Sequence, residues 1–107
     1  KDTMQVLIAA VTLPNADFLK KLVYELKNEV ANACIVLAAT IEDKPQVAVF
    51  IDESLLEATG LHAGNLVREL AKEIQGGGGG QPFFATAGGK DLAGLPQVVA
   101  KAKSILL

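Results

Sequence analysis

Two apolar runs separated by an amphipathic segment open the chain, and this order limits the folds available to it. Residues 4–12 and 33–40 are continuous apolar runs with several β-branched members, as in strands that are buried on both faces. Between them, apolar residues recur at spacings of three and four over residues 15–31, which predicts an amphipathic helix with Asn15 as its N-cap. This order predicts a right-handed βαβ unit with parallel strands.

The remainder of the chain predicts a hairpin strand and further helices. A polar turn at residues 42–45 precedes a strand-like run at 46–51, which we expect to pair with the second strand as a hairpin. Helices are expected at residues 52–60, 63–75 and 95–107, and Ser54 and Glu57 have the spacing of a capping box. The predicted fold class is α/β: a single domain over residues 1–107, with a small mixed sheet of about three strands and helices packed against it.

Length and composition exclude several classes of protein. The chain has 107 residues, half of them apolar, and a net charge of −2, which argues against disorder and against an overall basic field for nucleic acid. Its apolar runs are shorter than the ~18–20 residues of a membrane helix, and no secretory signal opens it, so we expect a cytoplasmic protein without a membrane partner. Because the chain begins with Lys1 rather than Met, we expect it to be a piece of a longer polypeptide.

Catalytic and metal-binding patterns are not found in the sequence. His62 is the only histidine, and it has no cysteine or carboxylate at metal-ligand spacing. Cys34, the only cysteine, lies in an apolar strand and should be buried and inert. Asp52 and Glu53 are explained by their place at a helix N-terminus. We therefore predict no catalytic residue, no metal site and no cofactor in this chain.

Five consecutive glycines, residues 76–80, follow the third predicted helix. A flexible linker after a helix cap is one explanation, but the residues after Gly80 are too few to form a second core. Within one domain, glycines permit positive φ angles, close approach of another backbone, or a nest of N–H groups that binds an anion. Neither the phosphate-binding P-loop nor the dinucleotide motif fits, because Gln81 and Pro82 stand where those motifs need other residues.

The glycine run belongs to a longer motif that resembles a known family. Residues 76–90 read GGGGGQPFFATAGGK, and this glycine run, Gln-Pro and Ala-x-Ala-Gly-Gly-Lys resemble the C-terminal, DHH-associated domain of alanyl-tRNA synthetases. The resemblance covers essentially the whole chain. It implies a module that binds the elbow of tRNA, links the aminoacylation and editing domains, and can take part in dimerisation. The parent enzyme would join alanine to its tRNA with ATP, and magnesium and zinc would bind elsewhere in it.

The resemblance implies a set of RNA-binding residues. Lys90 could reach a phosphate, and the glycines could present N–H groups to phosphate or ribose, or could serve only close packing. Phe83 and Phe84 could stack on bases, although we expect at least one to pack beneath the glycines. A further possibility is a basic track formed by Lys101, Lys103, Arg68 and Lys72. For Arg68 and Lys72, the alternative is an ordinary solvated helix face. The predicted RNA-binding set is Gly76, Gly77, Gly78, Gly79, Gly80, Gln81, Gly88, Gly89 and Lys90.

Two alternatives to a tRNA-binding module stay open at this stage. DHH-type phosphoesterases end in a similar domain that binds nucleic acid or nucleotides, but they place a histidine after the glycines, where this chain has Gln81. A structural or dimerisation module would use the glycines only for packing. Of the three hypotheses, the motif favours the tRNA-binding module, with alanine-specific tRNA, the parent chain's other domains and a possible second copy as partners.

Overall fold

The computed structural model describes residues 5–30 and 32–106, so the expected element ends at Met4, Ala31 and Leu107 lie outside the described residues. Within this part of the chain, one sheet contains β1 (Gln5–Leu13), β2 (Ala33–Ile41), β3 (Lys44–Ile51), β4 (Gly77–Gly80) and β5 (Phe84–Gly88). The helices are α1 (Ala16–Glu29), α2 (Glu53–Thr59), α3 (Ala63–Ala71) and α4 (Leu95–Leu106), and short 3₁₀ turns occupy Lys72–Ile74 and Leu92–Gly94.

The predicted βαβ unit and hairpin are confirmed. β1 pairs in parallel with β2, and β2 pairs antiparallel with β3. Asn15 caps α1, since its side-chain oxygen accepts a hydrogen bond from the Phe18 N–H at 3.2 Å. Burial on both faces is confirmed for β2, which is buried from Ala33 to Ala39. It is wrong for β1, which is half-exposed because it forms one edge of the sheet.

The sheet has more strands than the sequence pattern predicts. The strand order is β1-β2-β3-β5-β4, so the expectation of about three strands is wrong. β5 pairs antiparallel with β3, and the glycine strand β4 pairs antiparallel with β5. Both segments consist largely of glycine, alanine and other small residues with weak strand propensity, and it is pairing with neighbouring strands that makes them strands.

Helices cover both faces of the sheet. On one face, Leu19 and Val23 of α1 pack against alternate residues of the central strands, among them Ile35, Leu37, Ala48 and Phe50. On the other face, α3 and α4 pack against the intervening residues, among them Cys34, Val36, Val47 and Val49. This alternation follows the two-residue period of a strand, so each strand supplies side chains to two separate apolar layers.

Two expectations about the helices need correction. The N-cap of α2 is Asp52 rather than Ser54, because the Asp52 carboxylate accepts the Ser54 N–H at 3.1 Å. Ile105 of α4 does not face inward as its spacing predicts, since its side chain is 41% exposed. Gly60 ends α2 in the left-handed conformation, with φ of 73°, as expected.

The glycines of β4 allow the close approach of another backbone. Within the described residues, only Gly60 among the glycines has a positive φ, so the glycine run does not use the positive φ angles that glycine permits. A Cβ atom on Gly78 would lie 2.6 Å from the Ala87 Cα, and one on Gly80 would lie 2.7 Å from the Phe84 carbonyl oxygen. A Cβ on Gly77 would meet nothing within 4 Å. The strand therefore needs glycine at alternate positions.

A matched pair of alanine substitutions tests this packing. Gly78→Ala should lower the free energy of unfolding by about 1–3 kcal/mol, because the methyl group overlaps β5 and forces the strands apart. Gly77→Ala, one residue away in the same strand, should change it by no more than about 0.5 kcal/mol. Urea unfolding followed by circular dichroism measures both. Equal losses in the two variants would contradict the packing argument.

Cys34 predicts a pH dependence of stability. It is fully buried, and this burial raises the pKa of its thiol from 9.0 to about 11. Between these pH values the unfolded chain loses the thiol proton while the folded chain keeps it, so the free energy of unfolding falls as pH rises. The fall should reach at most about 1.4 kcal/mol per pH unit. Below pH 9 the contribution is fully present.

Cys34→Ala provides the control, because it removes the titrating group. Unfolding in urea at several pH values from 8 to 11 should show a steeper loss of stability in the native chain than in the variant. All other residues are the same in the two proteins, so the comparison isolates the thiol. Parallel pH profiles would show that the thiol is not shielded from water as the structure indicates.

Candidate nucleic-acid interface

Strand pairing brings three separate segments together at one end of the sheet, where neighbouring strands begin or finish. Gly88, at the end of β5, pairs with Gln46 on one side and with Gly77 on the other. The start of β3, the end of β5 and the start of β4 therefore lie side by side. They surround a groove of about 500 Å³, which we call the glycine groove and which is lined by Lys44, Pro45, Gln46, Gln75, Gly76, Gly77, Gly88, Gly89 and Lys90.

The charge of the glycine groove is positive. Lys44 and Lys90 are its only charged lining residues, and both are exposed. Neither forms an ion pair with any residue in the described ranges. Four of the nine lining residues are glycines, so much of the groove surface is bare backbone. A phosphate group could therefore approach the two ammonium groups with little side-chain obstruction.

Several backbone donors at the groove are already used inside the protein. The Gly76 N–H donates to the Ala71 carbonyl at 3.0 Å, and the Gly89 N–H donates to the Pro45 carbonyl at 3.1 Å. The Lys90 N–H donates to the Ile74 carbonyl at 2.8 Å. These three N–H groups are not free to form an anion-binding nest. The attraction for an anion comes from the lysine side chains.

The predicted RNA-binding residues do not all meet at the groove. Five of them line it: Gly76, Gly77, Gly88, Gly89 and Lys90. Gly78, Gly79 and Gly80 continue along β4, away from it. Gln81 lies in the turn between β4 and β5, at the opposite end of these strands, where its N–H donates to the Phe84 carbonyl at 2.9 Å. The structure therefore does not place Gln81 beside Lys90.

Sequence reasoning missed Lys44, Gln46 and Gln75, which also line the groove. The signal for Lys44 was its place in the polar turn of the predicted hairpin. Only the register of β3 against β5, which sets Gln46 opposite Gly88, shows that this turn lies beside the glycines. Since β5 was not predicted as a strand, that register could not be derived.

The proposed basic track on α3 and α4 is largely neutralised by nearby carboxylates. Lys72 pairs with Glu69 at 3.1 Å, and Lys101 pairs with Glu69 at 3.7 Å and with Glu73 at 3.3 Å. The hydrogen bond from Lys72 and its charge lower the pKa of Glu69, with a smaller effect of Lys101. Arg68 donates to the Asn65 side chain at 3.2 Å. The solvated helix face is therefore the better description of Arg68 and Lys72.

The two phenylalanines after the glycines lie on the α1 side of the sheet. Phe83 and Phe84 are half-buried against the apolar layer beneath α1. The Phe84 ring contacts the Tyr24 ring, with 5.8 Å between centroids and 36° between planes. Neither ring is fully exposed, in agreement with the expectation that at least one of them packs.

The remaining candidate groups have structural roles. His62 is the N-cap of α3, because its Nδ1 accepts the Asn65 N–H at 3.3 Å. Residues 5–30 and 32–106 contain no group of three or more histidine, cysteine, aspartate or glutamate side chains that could hold a metal ion. In these same ranges, every helix is too short or too polar to cross a membrane.

Comparison with known proteins places this architecture in a family. The sequence model of the DHHA1 domain matches residues 3–107. The alanine–tRNA ligase of Cytophaga hutchinsonii is 47% identical over 99% of this chain and 13% of its own length, and that of Bacteroides fragilis is 48% identical over 80% and 10%. The chain thus spans about a tenth of the length of these curated relatives.

A solved structure has the same fold. The C-Ala domain from Aquifex aeolicus alanyl-tRNA synthetase superimposes with a TM-score of 0.81 at 24% identity, over 94% of this chain and 89% of that one. The shared fold includes the mixed sheet, and the family model covers nearly the whole chain. This chain therefore belongs to the DHHA1 domain family.

Proposed function

We propose that this chain is the tRNA-binding C-terminal module of an alanine–tRNA ligase. Its relatives carry that name, and its fold is that of a C-Ala domain. The module would contact the elbow of the tRNA and link the aminoacylation and editing parts of the parent enzyme. The module itself performs no chemical step. These relatives, and Gln81 in place of a histidine, favour this function over a phosphoesterase domain.

The glycine groove is the observation that carries this proposal. Two lysines, Lys44 and Lys90, border a surface of bare backbone with no acidic lining residue. Ammonium groups bind phosphates without reading base sequence, which suits recognition of a folded RNA by its shape. The glycines would contribute by letting the RNA backbone come close to the strands.

An acidic chain can still serve as an RNA-binding module. The net charge is −2, so the attraction is confined to the groove and should be weak in the isolated chain. Attachment to a catalytic body that already holds the same tRNA raises the effective concentration of the groove near its target. A weak contact is then sufficient to position the tRNA.

The proposal extends to the parent enzyme and its partners. That enzyme would ligate alanine to its specific tRNA in the cytoplasm, using ATP. Magnesium and zinc would act in its other domains. The other domains of the parent chain would contact this module, and two copies could form a homodimer.

Lysine substitutions test the proposal by their effect on salt dependence. Lys44→Ala and Lys90→Ala should each weaken binding to folded alanine tRNA and reduce the slope of log affinity against log salt by about 1. A titration at several salt concentrations, followed by fluorescence anisotropy of labelled tRNA, measures both quantities. Unfolded tRNA should bind less tightly than folded tRNA.

Lys21→Ala is the matched control, because Lys21 is an exposed lysine of α1 and does not line the glycine groove. It should leave the affinity and the salt slope unchanged. Absence of binding at low salt would contradict the proposal. Equal effects of all three substitutions would show that the groove is not the contact surface.

A further inference from the structure

A second pocket lies near the far end of β3 from the glycine groove. Its walls come from α1, the end of β3, the start of α2 and the turn between β4 and β5. We call it the aromatic pocket, and it is lined by Tyr24, Lys27, Phe50, Asp52, Glu53 and Phe83. Nothing in the glycine motif or in the proposed contact with phosphates assigns it a role.

Aromatic rings form the apolar part of this pocket. Tyr24 and Phe83 are half-buried, so part of each ring is accessible, whereas Phe50 is buried. The Phe84 ring packs on Tyr24 from beside the pocket. The Lys27 ammonium lies 5.3 Å from the centroid of Tyr24 and 5.5 Å from that of Phe50. This arrangement suits a flat, polarisable ligand that can stack on a ring.

Two carboxylates form the polar part of the aromatic pocket. Asp52 accepts hydrogen bonds from the N–H and the hydroxyl of Ser54 through one oxygen, Oδ1. Glu53 is exposed and has no hydrogen bond or ion pair to any residue that the structure describes. Carboxylates accept N–H donors and repel phosphates. The pocket therefore favours the face of a ligand that carries amino groups.

The size of the pocket limits the ligand to one ring system. Its volume is about 240 Å³, below the roughly 300–1,000 Å³ typical of sites for drug-sized molecules. A single base can enter, while the sugar and phosphate stay outside. The carboxylates of Asp52 and Glu53 also repel the phosphate and so keep it outside the pocket.

We propose that the aromatic pocket binds one unstacked nucleobase with an exocyclic amino group: guanine, cytosine or adenine. The base stacks on Tyr24 or Phe83, and its amino group donates to the carboxylate of Asp52 or Glu53. Lys27, at the same site, offers its ammonium group to the base or to the attached phosphate. Uracil, which has no amino group, binds less tightly. This inference rests on the proposed function, because the bound tRNA would supply the base.

The position of the pocket allows one RNA to reach both sites. Gln46 lines the glycine groove and Phe50 lines the aromatic pocket, and the two are four residues apart on the same face of β3. At about 3.3 Å per residue, they are separated by about 13 Å. Because β3 is buried between these residues, the RNA would pass over the exposed Thr86 of the neighbouring strand β5, with phosphates at the lysines and a base at the rings.

The chain offers a direct probe of the aromatic pocket, because Tyr24 is its only tyrosine. Labelling with fluorotyrosine gives a single fluorine NMR signal that reports on this site. Titration with GMP, CMP, AMP and UMP at millimolar concentrations should shift the signal with the first three, and less with UMP. Phe83→Leu, which keeps an apolar side chain but removes the ring, should reduce the shift.

Phe18→Leu is the matched control, because Phe18 is a phenylalanine of α1 that is 48% exposed and lies outside the pocket. In tRNA titrations, Phe83→Leu should weaken binding roughly five- to tenfold relative to Phe18→Leu, as expected for one lost stacking contact. The salt slope should stay unchanged, in contrast to Lys90→Ala. Circular dichroism confirms that each variant is folded.

The possible outcomes separate the two proposals. A fluorine signal that moves with neither the nucleotides nor folded tRNA overturns the pocket assignment, even if tRNA binds through the lysines. Equal tRNA affinities of Phe83→Leu and Phe18→Leu also overturn it. If folded tRNA does not bind at all, the proposed function fails, and the nucleotide titration alone decides whether the pocket takes a base. An equal response to UMP would remove the role assigned to the carboxylates.

Discussion

The close approach of backbones around the glycine strand is the contact on which the second half of the molecule depends. A side chain at Gly76, Gly78 or Gly80 would collide with β5, one at Gly89 would collide with Ile74, and one at Gly94 would collide with Glu73. These contacts join β4, β5, the 3₁₀ turn after α3 and the start of α4 without intervening side chains. They also set the position of Lys90, whose N–H bonds to Ile74. The glycine groove is thus a consequence of packing, and its charge is added by the lysines at its border.

The half of the fold that relies on side-chain packing could be predicted from the sequence, and the half that relies on backbone packing could not. Hydrophobic periodicity identified β1, α1, β2 and β3, because these elements bury apolar side chains in a regular order. β4 has no side chains at all, and β5 has mostly small ones, so neither carries a periodic signal. Ile105 shows the opposite error: its spacing fits the inner face of α4, but the core covers Ala102 and Leu106 and leaves Ile105 41% exposed.

The same limit applies to the candidate site. Lys90 could be identified because it belongs to a continuous motif, whereas Lys44 is separated from that motif by more than thirty residues of sequence and meets it only through the register of β3 and β5. Gln81 was expected with Lys90 because both belong to the motif, yet Gln81 lies in the turn of the hairpin, at the opposite end of its two strands from Lys90. Residues that are close in a motif need not be close at a site when the motif itself folds into two strands.

The distribution of charge explains how a chain with a net charge of −2 can offer a surface to RNA. Glu69 and Glu73 lie beside Lys72 and Lys101 on the helical face, so those lysines are already paired. No carboxylate lines the glycine groove beside Lys44 and Lys90, whereas Asp52 and Glu53 line the aromatic pocket. Between the glycine groove and the aromatic pocket the surface therefore changes from attracting phosphate to repelling it. An RNA that crosses this surface is favoured in one orientation, with its backbone toward the lysines and a base toward the rings, because the reverse orientation would bring phosphates against the carboxylates.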